Sequence, residues 1–171
     1  MLDILKLEIQ KQSKFALISY NYLKESVNDV IDPTLVWYYS QNFLIATANV
    51  SMLLWGSESD EINSDYRKQL REILNISEDS LLQNPQLRNT FVHFDKKLLD
   101  WSEKSKQQNF CDSNIGAIDA ASHLKPEDHF RNFDIASNML TFKGDTYELQ
   151  PIINELIKLI EIVNKLLPTS F

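Results

Sequence analysis

The sequence predicts a mostly α-helical protein, an up-and-down helical bundle with one small β-hairpin before the C-terminal helix. The chain has 171 residues, 43% of them hydrophobic, which suits one sizeable core and a single domain over residues 1–171. Three glycines and five prolines are too few for the many turns of a β-sandwich or barrel. Long runs of leucine, isoleucine, lysine and glutamate favour helices instead.

The first predicted helix covers residues from about 3 to 29. Its apolar periodicity predicts a buried side, while lysine, glutamine and serine occupy the other face. The residues assigned to the buried side are Leu7, Phe15, Ile18, Tyr22 and Val27.

The second predicted helix begins after the cap Asp32, has Pro33 at its first position and stops at Gly56. It is apolar nearly all round, which is typical of a helix central to a bundle. Its interspersed serine, threonine, asparagine and glutamine residues argue against a membrane span. We therefore expect no membrane contact.

The middle of the chain has an acidic loop, "GSESDEINS", and a short helix that starts at a Ser64 cap. Asn84 and Pro85 open a further helix, which we expect to be central together with the second helix. Residues from about 107 to 132 show weak periodicity and predict a long surface connection. "NMLTFKGDTYELQ" then predicts a hairpin turning at Lys143–Gly144, and Pro151 opens the last helix.

Charge and cysteine content limit the classes of function. The single cysteine, Cys111, cannot form an internal disulfide, and the N-terminus lacks the pattern of a signal peptide, so we expect a cytoplasmic protein. A net charge of -7 repels nucleic acid as a whole, so any RNA contact needs a local basic site. No glycine-rich phosphate loop is present.

The helix after Pro85 carries the clearest chemical pattern. At 100° per residue one apolar stripe predicts its buried side, formed by Leu87, Phe91, Phe94, Leu98 and Trp101. The opposite side holds Asn89, Val92, His93 and Lys96, with Arg88 at the flank. A valine on this side indicates a second buried contact, such as another subunit.

Arg88-Asn89-x-x-x-His93 resembles the Arg-polar-x(3 to 5)-His motif of HEPN-domain proteins. The flanking "HFDKKLLDW" and "DPTLVWYYSQNFLIATANVSMLLW" are also similar to HEPN-like bacterial proteins. The resemblance implies a homodimeric helical bundle and a metal-independent endoribonuclease of toxin–antitoxin or defence type. It further implies an RNA substrate and an antitoxin or other protein partner, and we expect no metal and no cofactor.

The three motif residues suit RNA cleavage chemically. His93 can transfer protons near neutrality, Arg88 can bind phosphate through two hydrogen bonds, and Asn89 can orient the imidazole. One chain supplies one such histidine, so two chains related by a twofold axis would supply both the base and the acid. Val92 then belongs to the subunit interface, and Lys96 to the interface or to phosphate binding.

Two alternatives remain open from the sequence. The same face also suits a non-catalytic helical dimer that binds a protein, RNA or nucleotide. A metal site can be drawn from Cys111, His123, Glu127, Asp128 and His129, but their spacing matches no recognised ligand pattern. We interpret these histidines as loop residues, and a phosphate-binding role for Arg131 has no further support.

Overall fold

The computed structural model describes residues 1–28, 31–56, 64–84, 86, 94–104, 110–118, 124 and 128–167. These residues are predominantly helical, with a small sheet before the C-terminal helix, which confirms the predicted class. The helices are α1 (Leu2–Glu25), α2 (Pro33–Trp55), α3 (Ser64–Ile73), α4 (Phe94–Lys104) and α5 (Leu149–Leu166), with a 3₁₀ turn at Leu81–Gln83. The strands are β1 (Asn114–Ile115), β2 (Arg131–Asp134), β3 (Met139–Phe142) and β4 (Asp145–Glu148).

Helix α2 begins and ends as its sequence predicts. The Asp32 carboxylate accepts hydrogen bonds from the backbone N–H groups of Thr34 and Leu35, at 2.9 and 3.4 Å. Pro33 occupies the first helical turn, where its missing N–H costs nothing. Gly56 ends the helix with φ of 72°, a conformation that disfavours residues with a Cβ.

Helix α1 turns a different side to the core from the one predicted. Phe15, Ile18 and Tyr22 are 49%, 52% and 47% exposed, so their assignment to the buried side is wrong. Leu7 and Val27 are half-buried. The buried side instead contains Ile9, Ser13, Ala16, Ser19, Tyr20 and Leu23. The helix has two apolar stripes, and periodicity cannot choose between them. Small residues in the second stripe allow a closer approach of neighbouring helices.

Helix α5 closes the core against α1 and the 3₁₀ turn. Ile152, Ile153, Leu156, Leu159 and Val163 are buried on one side of this helix. Its Glu155 carboxylate accepts hydrogen bonds from the Ser80 hydroxyl at 2.6 Å and from the Leu81 N–H at 3.0 Å. This carboxylate therefore fixes the 3₁₀ turn to the last helix.

The predicted hairpin is present as β3 and β4, which pair antiparallel. Lys143 and Gly144 both have positive φ, 49° and 85°, as a two-residue turn with the right-handed strand twist requires. Leu140, Phe142, Tyr147 and Leu149 are buried. The turn chemistry and the alternating pattern together located this element.

The hairpin is half of a larger sheet, so the prediction of a lone hairpin is corrected. The strand order is β1-β2-β3-β4. β2 pairs antiparallel with β3, and the two-residue β1 pairs parallel with β2. Both additional strands fall at or within the segment predicted as a surface connection. They are too short to show periodicity, and pairing with the hairpin specifies them.

Among the helices that the structure describes, none combines the length and the apolarity needed to cross a membrane.

Candidate functional site

Most of the predicted site falls outside the described residues. Arg88, Asn89, Val92 and His93 all belong to residues 87–93, of which nothing structural is described. Lys96 is described, and it lies exposed on the first turn of α4. The structure therefore shows the helix that directly follows the motif and the surface that holds this helix.

Helix α4 is anchored to the sheet by an aromatic cluster. The Phe94 ring centroid lies 5.8 Å from that of Phe130 and 6.1 Å from that of Phe142. Trp101, two turns later, lies 5.0 Å from Phe130. Tilted ring pairs at such distances add to the stabilisation from burial alone. The described part of the motif helix thus packs on the sheet, whereas we expected the motif helix at the centre of the bundle.

The predicted apolar stripe of this helix is correct in part. Phe94 is partly buried against the core and Trp101 is buried. Leu98 is 38% exposed, so its assignment to the buried stripe is wrong, while Leu87 and Phe91 lie outside the described residues. Leu98 is about 40° from Phe94 around the helix, and the aromatic cluster covers only a narrow strip of α4.

Acidic partners neutralise most of the described lysines on α4. Lys97 pairs with Asp145 at 3.4 Å and Lys104 with Asp100 at 3.0 Å. Asp100 also pairs with Lys143, and hydrogen bonds from Lys143 and Lys104 lower the pKa of this carboxyl. Lys96 makes no ion pair with any residue that the structure describes.

A second polar cluster lies at the β1–β2 edge of the sheet, where sequence reasoning expected a plain connection. The Arg131 guanidinium donates two hydrogen bonds to the Asp112 carboxylate, at 2.8 and 2.5 Å. It also lies 5.6 Å from the ring centroid of Trp37 in α2. Burial alone would raise the pKa of Asp112, but the hydrogen bonds and charge of Arg131 hold it below its ordinary value. Arg131 therefore joins the sheet to α2 and is engaged by a carboxylate, which leaves the suggested phosphate-binding role without support.

His129 and Cys111 form an isolated parallel β-bridge, outside the four strands, beside this cluster. His129 is buried, and neither of its ring nitrogens has a hydrogen-bond partner among the described residues. Burial lowers the pKa of His129, although the negative charge of Asp128 acts to raise it. Burial raises the pKa of the Cys111 thiol. Because its pKa is raised, the Cys111 thiol stays protonated near neutral pH and lacks the thiolate that nucleophilic catalysis requires.

The described residues offer no three histidine, cysteine, aspartate or glutamate side chains arranged to hold a metal ion. His123 and Glu127, two members of the metal site drawn from the sequence, lie outside the described residues.

The sequence contains a turn signal next to β2 that the sequence analysis missed. The four-residue run "RNFD" is separated from "MLTF" by "IASN", whose Asn138 has a positive φ of 54°. Asparagine tolerates that conformation better than most residues.

No protein-family model, no curated protein and no solved structure matches this chain.

Proposed function

We propose that the protein is a metal-independent endoribonuclease of HEPN type, a toxin-like or defence-related effector that acts at a homodimer cleft. One observation carries the proposal: Arg88, Asn89 and His93 occur in the motif spacing directly before a helix anchored to the sheet. Phe94, the next residue after His93, belongs to the aromatic cluster that fixes α4. A rigid support of this kind favours a precisely held catalytic group.

The proposed reaction uses the nucleophile that RNA itself carries. One His93 takes the proton of the 2′-hydroxyl as this oxygen attacks the adjacent phosphorus. The P–O5′ bond breaks, and the second copy's His93 donates a proton to the departing 5′-oxygen. Arg88 stabilises the added negative charge on the phosphate, and Lys96, on the first turn of α4, binds a neighbouring phosphate. The products are a 2′,3′-cyclic phosphate and a 5′-hydroxyl.

A non-catalytic helical dimer that binds a protein, RNA or nucleotide through the same face is the second candidate. Charge favours this candidate. The chain carries a net charge of -7, and Lys97 and Lys104 form ion pairs with aspartates, which makes them less available to bind the phosphates of an RNA backbone. An antitoxin or another protein partner would suit either candidate.

Purified protein incubated with RNA in EDTA tests the proposal. We expect cleavage with 2′,3′-cyclic phosphate ends and no attack on DNA. His93→Ala should abolish cleavage, and Arg88→Ala should reduce it at least about tenfold, because a group that stabilises transition-state charge is lost. Lys104→Ala is the matched control: it removes a charge from the far end of α4 and should leave the rate unchanged.

Mixed dimers test the composite cleft. A heterodimer of His93→Ala and Arg88→Ala chains should show a residual activity different from that of either parent if one site uses both chains. Intact RNA with the wild-type protein, together with Arg88-dependent binding of RNA or nucleotide, would assign the face to binding and contradict the nuclease.

A further inference from the structure

The two edges of the sheet differ in regularity. β4 is the terminal strand on one side and β1 on the other. β1 has only two residues, and Ser113 and Gly116, which flank it, have positive φ values of 60° and 133°. β4 has four residues, none of which has a positive φ. Among the strands that the structure describes, only β4 therefore presents a regular edge that another strand can extend.

The register of the hairpin determines which backbone groups of β4 face outward. In an antiparallel pair, residues that bond to the partner strand alternate with residues whose N–H and C=O point away from it. Asp145 lies opposite Phe142 across the two-residue turn, and the Leu149 N–H donates to the Asn138 carbonyl at 3.2 Å. Asp145, Tyr147 and Leu149 therefore belong to the bonded set, and the residues between them face outward.

Thr146 and Glu148 are these outward-facing residues, and both are exposed. The Thr146 N–H and C=O and the Glu148 N–H make no hydrogen bond with any residue that the structure describes. The Glu148 C=O is engaged, because Glu148 is the N-cap of α5 and its carbonyl accepts the first bond of that helix. The edge thus offers two donors and one acceptor in the spacing of a β-ladder.

A cavity of about 220 Å³ lies beside this edge. It is lined by the strand residues Thr146, Tyr147 and Glu148 and, from the 3₁₀ turn and α5, by Leu81, Asn84 and Ile152. Leu81 is 46% exposed, although the Glu155 carboxylate holds its backbone N–H at 3.0 Å. The cavity therefore provides a fixed apolar wall for one aliphatic side chain, next to the free backbone groups.

The charges along β4 favour a basic partner. Asp145, at one end of the strand, pairs with Lys97 at 3.4 Å. Glu148, at the other end, makes no ion pair with any described residue. The chain as a whole carries a net charge of -7. A lysine or arginine beside Glu148 would meet a complementary charge, whereas an acidic segment would be repelled.

We propose that the outer edge of β4 binds an extended, positively charged segment of another protein, which adds one strand to the sheet. The segment accepts hydrogen bonds from the N–H groups of Thr146 and Glu148 and donates one to the Thr146 carbonyl. One aliphatic side chain enters the cavity beside Leu81, and a basic side chain lies next to Glu148. Main-chain bonds supply the affinity of such strand addition, and side-chain pockets supply its selectivity. The inference does not rest on the proposed ribonuclease activity.

Short synthetic peptides test the proposal by calorimetric titration of the full chain. The probes have the sequence Thr-Lys-Thr-X-Thr-Lys-Thr, with blocked ends and with valine, isoleucine, leucine or phenylalanine as X. Their side chains follow the same order in both chain directions, so they suit a parallel or an antiparallel partner. We expect at least one to bind with a Kd below about 1 mM. Glutamate in place of both lysines should weaken binding at least about tenfold.

A substitution on the edge strand tests the role of the backbone. Thr146→Pro removes an outward N–H and no bond of the sheet, and proline is tolerated at such edge positions. It should weaken peptide binding at least about tenfold, because a hydrogen bond is lost and its acceptor is left unpaired. Thr146→Val is the matched control: it keeps the backbone groups and a β-branched side chain, and should bind as the wild type does. Circular dichroism must show the same secondary structure in both variants.

N-methylated peptides test strand addition without any change to the protein. Only one edge of an added strand faces β4, so methyl groups on one alternate set of amides should abolish binding, and those on the other set should be tolerated. The inference would be overturned by no binding of any probe at about 1 mM, by equal loss with both methylated sets, or by equal affinity of Thr146→Pro and wild type. A wild-type dimer that Thr146→Pro dissociates would assign the edge to a second copy and would also overturn it.

Discussion

Helix α2 and the α4–sheet region are stabilised by different forces. Helix α2 has no charged residue and contributes apolar side chains to the core. The α4–sheet region combines an aromatic cluster with ion pairs from Arg131 to Asp112, Lys143 to Asp100 and Lys97 to Asp145. Apolar burial depends little on pH or salt, whereas partly exposed ion pairs depend on both. We therefore expect a change of pH or a single substitution to destabilise the α4–sheet region, which supports the candidate site, before it destabilises helix α2.

Removal of a central aromatic ring should have the largest effect. Phe130 and Phe43 are both fully buried, and replacement of either by alanine should cost about 3–5 kcal/mol of unfolding free energy. Phe130 contacts Phe94 and Trp101, so Phe130→Ala should also release α4, whereas Phe43→Ala should not do so selectively. Hydrogen exchange of residues 94–104 measures this difference. Equal protection of α4 in both variants would contradict the distinction between the two regions.

Loss of the Arg131 contacts that join the sheet to α2 should have a smaller effect on the unfolding free energy. Arg131→Ala should cost about 1–2 kcal/mol of unfolding free energy, because a charged bidentate pair is lost but solvent partly screens it. Arg131→Lys should recover only part of this, since lysine lacks the planar fork that pairs with Asp112 and lies over Trp37. Urea denaturation measures both values, and Lys104→Ala, at an exposed ion pair, should cost less than about 1 kcal/mol.

The pH dependence of that link follows from the lowered pKa of Asp112. A carboxyl whose folded pKa is depressed stabilises the fold above its unfolded pKa of about 3.9 and loses this contribution as pH falls through the folded value. The difference in unfolding free energy between wild type and Asp112→Asn should therefore shrink below about pH 4. A difference that stays constant down to pH 2 would show that the link is not electrostatic.

The smallest effect should come from the buried imidazole. The folded pKa of His129 is lowered, so the unfolded chain binds more protons between that pKa and about 6.5. The unfolding free energy should then be highest above about pH 6.5. It should fall as the pH decreases, by at most about 1.4 kcal/mol per pH unit. His129→Leu should remove this slope and cost little at pH 7, since both nitrogens lack partners among the described residues. An unchanged slope in this variant would assign the acid sensitivity to other groups.

The sequence by itself determined the features that depend on local chemistry. Asp32, Pro33 and Gly56 define α2 because capping and backbone restriction act within a few residues. Lys143 and Gly144 define the hairpin for the same reason. Phe94 and Trp101 were identified as buried because they share one narrow stripe of α4. The motif residues Arg88, Asn89 and His93 stay a prediction.

The tertiary structure decided what depends on neighbours that are distant in sequence. Which apolar stripe of α1 is buried was settled by packing, since both stripes satisfy the helical period and Phe15 and Ile18 belong to the exposed one. Strands β1 and β2 exist because they pair with each other and with the hairpin, and a two-residue strand has no periodicity of its own. The bond from Arg131 to Asp112 spans 19 residues and forms only once the sheet edge is in place. Local propensity specifies where elements begin and end, whereas the free energy of burying their faces depends on the assembled chain.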